Sequence, residues 1–290
     1  MNLLEQRTHK YLEAFLLDRK AQNLTVGTVQ FYNEKLTHFL NYCDLPIQEI
    51  TPSILREFFL TMAETHTSGG VHCIYRTVKT FLLWYEQEFE PENWHNPIRK
   101  VKPPKVPNEP LEPVPLQNIS EMLKYSKKRD VSILLSLLDT GARVSEFLNM
   151  NISDVNQLTG EILIRQGKGR KPRTVYLGAK SRKALRSYLK QRSDDCPALW
   201  VTDEGTRITY SGLRMMLIRR SKQARVPTPS IHSFRRAFAI NMLRSREVDL
   251  VTLANLLGHS SLSVLQRYLK QTNEDLRIAH RLASPVDNGL

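Results

Sequence analysis

Val101-Lys-Pro-Pro-Lys-Val-Pro-Asn-Glu-Pro110 divides this chain of 290 residues in two. Each proline lacks an N–H and restricts the residue before it, so the stretch reads as an extended, semi-stiff linker and not as a helix. Seven of the fifteen prolines fall between Pro97 and Pro115. The boundaries that follow are 1–98 for a first domain, 99–115 for the linker and 116–290 for a second domain. Lys100, Lys102 and Lys105 charge the linker, which reads either as a plain spacer or as a segment lying along a phosphate backbone.

Upstream, apolar residues recur at helical spacing in four segments. Leu12, Phe15 and Leu16 mark the first; Val29, Tyr32, Leu36 and Leu40 mark the second. Ile54, Phe58, Phe59 and Met62 mark the third, which opens at Thr51-Pro52, a cap followed by proline at the first helical position. The fourth runs from about Ser68 to Glu88 and carries Ile74, Val78, Phe81 and Leu82. A small all-helical bundle is expected, with its aromatics in the core. Downstream the pattern stays helical except for Glu161-Ile-Leu-Ile-Arg165 and Thr174-Val-Tyr-Leu177, two β-type runs around Gln-Gly-Lys-Gly-Arg-Lys-Pro-Arg173. That is a hairpin with a basic tip. Helices are expected over 179–192, 211–223, 231–245 and 249–257, with shorter ones at 261–269 and 274–280. The fold class is mainly α with one small β-hairpin, in two domains.

Charge separates the two parts further. Residues 1–110 hold 12 Lys+Arg against 13 Asp+Glu, whereas 111–290 hold 30 against 16. The net charge of +13 therefore lies wholly in the second part and points to a polyanion such as double-stranded DNA as its partner. There is no secretory signal and no apolar run of membrane-spanning length, so the chain reads as cytoplasmic, with no membrane partner. Cys43, Cys73 and Cys196 are too few and too scattered for a disulfide framework or a zinc site. No Walker loop, dinucleotide fingerprint or carboxylate cluster for two metals is present, so no cofactor and no metal are expected.

Six residues of the second part carry the chemistry: Arg143, Lys168, His232, Arg235, His259 and Tyr268. Guanidinium forks neutralise the non-bridging oxygens of a phosphodiester, and a cation or an imidazole shuttles protons. A tyrosine hydroxyl is a nucleophile that can hold the phosphate covalently. His232 and Arg235 are three residues apart on one helix and share a face. With a reference pKa of about 10, the tyrosine needs both nearby positive charge and a proton acceptor to attack at neutral pH.

The flanking residues resemble those of the tyrosine recombinase (phage integrase) family. Thr140-Gly-Ala-Arg-Val-Ser-Glu-Phe-Leu148 resembles its first box, His232-Ser-Phe-Arg-Arg-Ala-Phe-Ala239 its second, and Leu256-Leu-Gly-His-Ser-Ser-Leu-Ser263 the stretch ahead of the tyrosine. Arg236 stands where histidine is more usual, and Phe234 where leucine is common. The resemblance implies a SAM-like core-binding DNA-clamp domain followed by an α+β catalytic domain. It also implies a metal-free cut that leaves a 3′-phosphotyrosyl link and a free 5′-hydroxyl, with Lys168 serving the leaving oxygen. Four protomers would assemble on two recombination sites, with an accessory DNA-bending or directionality protein possible, for integration or excision of a mobile element or for chromosome-dimer resolution. Helical periodicity begins almost at Met1, so no separate arm-binding domain is expected. The tail after Tyr268, with Leu276, Ile278, Ala279 and Leu282, is expected to dock either on its own protomer or, as the resemblance implies, on a neighbouring one. Two alternatives share the chemistry or the fold: a type IB topoisomerase-like nicking-closing enzyme, and a non-catalytic DNA-binding protein.

Overall fold

The computed structural model describes residues 3–107, 112–165, 172–245 and 247–258, with a few isolated positions beyond. The chain forms two compact units, Met1–Glu109 and Pro110–Leu290. Among the described residues, no helix is long and apolar enough to cross a membrane.

The first unit is built from α1 (Leu3–Ala21), α2 (Val26–Cys43), α3 (Pro52–Thr65) and α4 (Ser68–Phe89). Three of these helices start on a threonine whose hydroxyl accepts a backbone N–H: Thr25, Thr51 and Thr67. A cap of this kind contributes about 1 kcal/mol and fixes where the helix begins. The core is aromatic, with Phe15, Phe39, Phe58 and Phe81 excluded from solvent. Phe15 meets Tyr32, Phe81 and Trp84 edge-on at 5.2–5.4 Å between ring centres, an arrangement that suits the ring quadrupoles.

The start of the proline-rich segment is held against this unit. Ile98 and Val101 are buried in its core. Tyr75 Oη donates to Val101 O (2.8 Å), and Arg56 Nη2 donates to Lys100 O (3.1 Å). His72 Nδ1 lies 3.1 Å from Pro104 O. Arg76 and Lys79 are exposed on α4, whereas Arg99 is engaged by Glu86 through Nη2–Oε2 (2.9 Å) and Nε–Oε1 (3.2 Å).

The second unit contains α5 (Leu116–Lys124), α6 (Lys128–Thr140) and α7 (Val144–Asn149), then strands β1 (Glu161–Ile164) and β2 (Arg173–Tyr176). After the strands come α8 (Ala179–Leu189), α9 (Tyr210–Ala224), α10 (Ile231–Ser245) and α11 (Leu250–Leu257). The strands pair antiparallel with Glu161 opposite Tyr176 and Ile164 opposite Arg173. Alternation turns Ile162, Ile164 and Val175 into the core. Helix α6 lies among α8, α10 and β2, and its Ile133, Leu134 and Leu137 are buried. Phe147, Trp200 and Tyr188 stack nearly parallel beside it, with centroids 4.9 and 6.0 Å apart. The fully buried Asp130 is bridged by Arg129 (2.9 Å) and Arg220 (2.6 Å), which ties the start of α6 to α9. The expected helices at 261–269 and 274–280 fall largely outside the described residues.

Candidate phosphate-binding site

The site begins where α6 ends. Gly141 closes that helix at φ +54°, and a Cβ there would sit 2.4 Å from the Phe238 ring, so only glycine fits. The turn leaves Gly141 O free of the helix ladder, and Arg235 Nη1 donates to it at 2.6 Å. Two residues on, Arg143 is the N-cap of α7; its backbone N–H donates to Glu146 Oε2 at 2.8 Å and its Nη1 to Glu146 Oε1 at 2.9 Å.

A second helix end completes the arrangement. Gly258 terminates α11 at φ +65°. Arg235 Nη2 donates to Leu257 O (2.7 Å) and Arg143 Nη2 to the next carbonyl, Gly258 O (2.8 Å). Carbonyls at a helix C-terminus carry partial negative charge, so both guanidiniums are fixed by groups that match their sign. Arg235 is buried, and the Arg143 side chain keeps 24% of its surface open.

His232 projects from the first turn of α10, three residues before Arg235, and remains exposed at its edge. Partial burial of the ring lowers its pKa from the ordinary 6.5, and the charges of Arg236, Arg235 and Arg143 push in the same direction. The shift favours the neutral imidazole, the form able to accept a proton. Arg236, the residue at the usual histidine position, is the foremost of those charges. Its Nη1 also donates to Glu112 O (2.9 Å), while Val114 N donates to Ser233 O (3.2 Å); together they pin the start of α10.

The structure thus gathers Arg143, His232 and Arg235. Lys168, His259 and Tyr268 lie outside the described residues. Sequence reasoning overlooked Arg173, which donates Nη1 and Nη2 to the two oxygens of Glu146 (2.9 and 2.7 Å) and Nε to Leu256 O (3.1 Å). The available signal was an arginine opening β2 directly after a basic run of sequence, which reads equally well as one more charge of that run.

Relatives agree with this architecture. Residues 111–275 match the phage integrase family. Tyrosine recombinase XerA of Thermococcus onnurineus is 34% identical over 279 residues, 88% of this chain and 97% of that protein. Tyrosine recombinase XerA of Pyrococcus furiosus is 28% identical over 281 residues, 96% of this chain and 95% of its own. Among solved structures, the Tn1549 transposon integrase in complex with transposon right end DNA superposes with a TM-score of 0.74 at 19% identity, over 94% of this chain and 99% of that one. The fold is that of a tyrosine recombinase, an enzyme acting on DNA. The chain belongs to the phage integrase family and is a site-specific DNA recombinase.

Proposed function

We propose that Arg143, Lys168, His232, Arg235, His259 and Tyr268 form one active site for strand transesterification. Tyr268 Oη attacks the scissile phosphorus and forms the 3′-phosphotyrosyl bond, while the bond to the 5′ oxygen breaks. The phenolic proton passes to His232, and Lys168 delivers a proton to the departing 5′ oxygen. Arg143 and Arg235 hold the non-bridging oxygens as charge grows on them, and His259 donates to one of them. Rejoining is the reverse step, with the bond energy kept in the link.

The observation that carries this reading is the anchoring of Arg143 and Arg235 on the successive carbonyls of Gly258 and Leu257, with His232 three residues before Arg235 on the same helix. Two permanently charged forks fixed before substrate arrives stabilise a transition state without reorganising at the moment of reaction.

A substitution in the leaving-group step tests it. Lys168→Ala is expected to cleave an ordinary duplex slowly and to recover near-parental rates when sulfur replaces the bridging 5′ oxygen, since a thiolate leaves without a proton. Equal slowness on both substrates would assign Lys168 to binding. The proton acceptor has its own signature. A base with a lowered pKa stays neutral to lower pH, so cleavage should decline only as pH falls through a value below 6.5. Arg236→Gln removes the foremost charge on His232 and should move that inflection upward; an unchanged or lower inflection would contradict the assignment.

In the assembled reaction, residues 1–98 serve as the DNA-clamp domain, 99–115 as the linker and 116–290 as the catalytic domain. Arg76 and Lys79, exposed on α4, are the candidate phosphate contacts of the clamp; Arg99, engaged by Glu86, is less available. Four protomers on two sites, with the tail beyond Tyr268 docked on a neighbour, would exchange strands in two rounds. Both mobile-element integration or excision and chromosome-dimer resolution suit this chemistry, with an accessory DNA-bending or directionality protein setting which occurs.

A further inference from the structure

We infer that Arg173 is a positioning residue that neutralises Glu146 and so leaves the charge of Arg143 available to the phosphate. The inference rests on the reading of Arg143 as a phosphate-binding group. Glu146 has a side chain only 3% exposed, and its carboxylate accepts four hydrogen bonds. Two come from Arg143, through its backbone N–H and Nη1, and two from the fork of Arg173. The cluster of Arg143, Glu146 and Arg173 therefore sums to one positive charge. Without Arg173 it would sum to zero, and a phosphate would meet a guanidinium already matched by its own carboxylate.

The geometry of Arg173 fits a supporting role. Both of its terminal nitrogens are directed at the Glu146 carboxylate and its Nε at Leu256 O, and its side chain is 11% exposed. It also packs under the turn that ends α11: a Cβ on Gly258 would lie 2.8 Å from Arg173 Nη1 and 2.9 Å from Cζ. One side chain thus joins the first residue of β2, the first turn of α7 and the end of α11. Burial alone would raise the pKa of Glu146, but the hydrogen bonds from Arg173 and Arg143 outweigh it and hold the carboxyl below its ordinary value. The carboxylate is charged at neutral pH, as the inference requires. In a site of low local dielectric, an unmatched carboxylate beside Arg143 would weigh far more than in water.

A purely structural clasp and a charge-balancing one predict different outcomes for a double-mutant cycle. Single-turnover cleavage of a nicked suicide duplex, at protein concentrations that saturate binding, is measured for the parent, R173Q, E146Q and R173Q/E146Q. R173Q is expected to be slower than the parent by about 10–100-fold, the range in which supporting partners of a reactive group act. With Glu146 already uncharged, adding R173Q is expected to cost no more than about threefold. Equal losses in both backgrounds would make Arg173 structural and overturn the inference, as would an R173Q rate equal to the parent's. Should R173Q lose its fold or its duplex binding, R173K repeats the comparison. The charge is kept, so a deficit of no more than about tenfold is expected, and a larger one overturns the inference. Tyr268→Phe is run alongside. Covalent adduct from that variant would instead overturn the active-site reading beneath the inference.

Discussion

Tyr268→Phe is expected to bind duplex with parental affinity and to form no covalent complex. Only the hydroxyl is removed, so phosphate contacts from Arg143 and Arg235 persist while the attacking atom is gone. Loss of a nucleophile of this kind lowers a rate by as much as about 10⁶-fold, which here means disappearance into background. The measurement pairs a gel-shift titration with denaturing electrophoresis of protein incubated with a suicide duplex. Weakened binding together with lost adduct would point to a folding defect. Adduct from the Phe variant would mean that another residue attacks.

Arg235→Ala and Arg143→Ala are each expected to slow cleavage by about 10²–10³-fold, the effect of removing one preorganised donor to a developing oxyanion. Their stabilities should differ. Arg235 is buried and bridges the ends of α6 and α11 through Gly141 O and Leu257 O. Its removal leaves buried carbonyls without these donors, at about 1–3 kcal/mol each. The side chain of Arg143 is more open, and Glu146 keeps Arg173 as a partner when Arg143 is truncated. Thermal unfolding should therefore shift downward clearly for Arg235→Ala and little for Arg143→Ala. Cleavage rates within tenfold of the parent for either variant would remove it from the phosphate site.

Local signals explain which parts of this architecture were legible from sequence. Thr51-Pro52 announces the start of α3, and Phe58, Phe59 and Met62 fall on its buried face. The alternation of Glu161 to Ile164 and the glycines after it announce the strand pair, found one residue shorter at the β1 end and displaced by one on β2. The shared helix of His232 and Arg235 follows from their spacing, whereas Arg143 stands out only through the resemblance of Thr140–Leu148 to the family's first box. What stayed hidden depends on contacts between distant segments. No local pattern shows that Arg143 meets a carbonyl 115 positions away or that Arg173 clasps Glu146 27 positions before it. Likewise, Arg99 reads as a free basic residue until Glu86, 13 positions earlier, is found against it. Residues 99–115 read as linker because their prolines disfavour a helix, yet Val101 is apolar enough to bury in the first unit.

The central claim is that DNA is cut by transfer of the phosphate to Tyr268. The most direct test incubates the full chain with a duplex nicked next to the scissile bond, so that a short fragment diffuses away and the adduct accumulates. Protease and nuclease digestion followed by mass spectrometry then locates the modified residue. The expected result is a peptide containing Tyr268 that carries a 3′-linked nucleotide, with a free 5′-hydroxyl on the released fragment. A nucleotide on any other residue, or a 5′-phosphate on the released strand, would contradict the account.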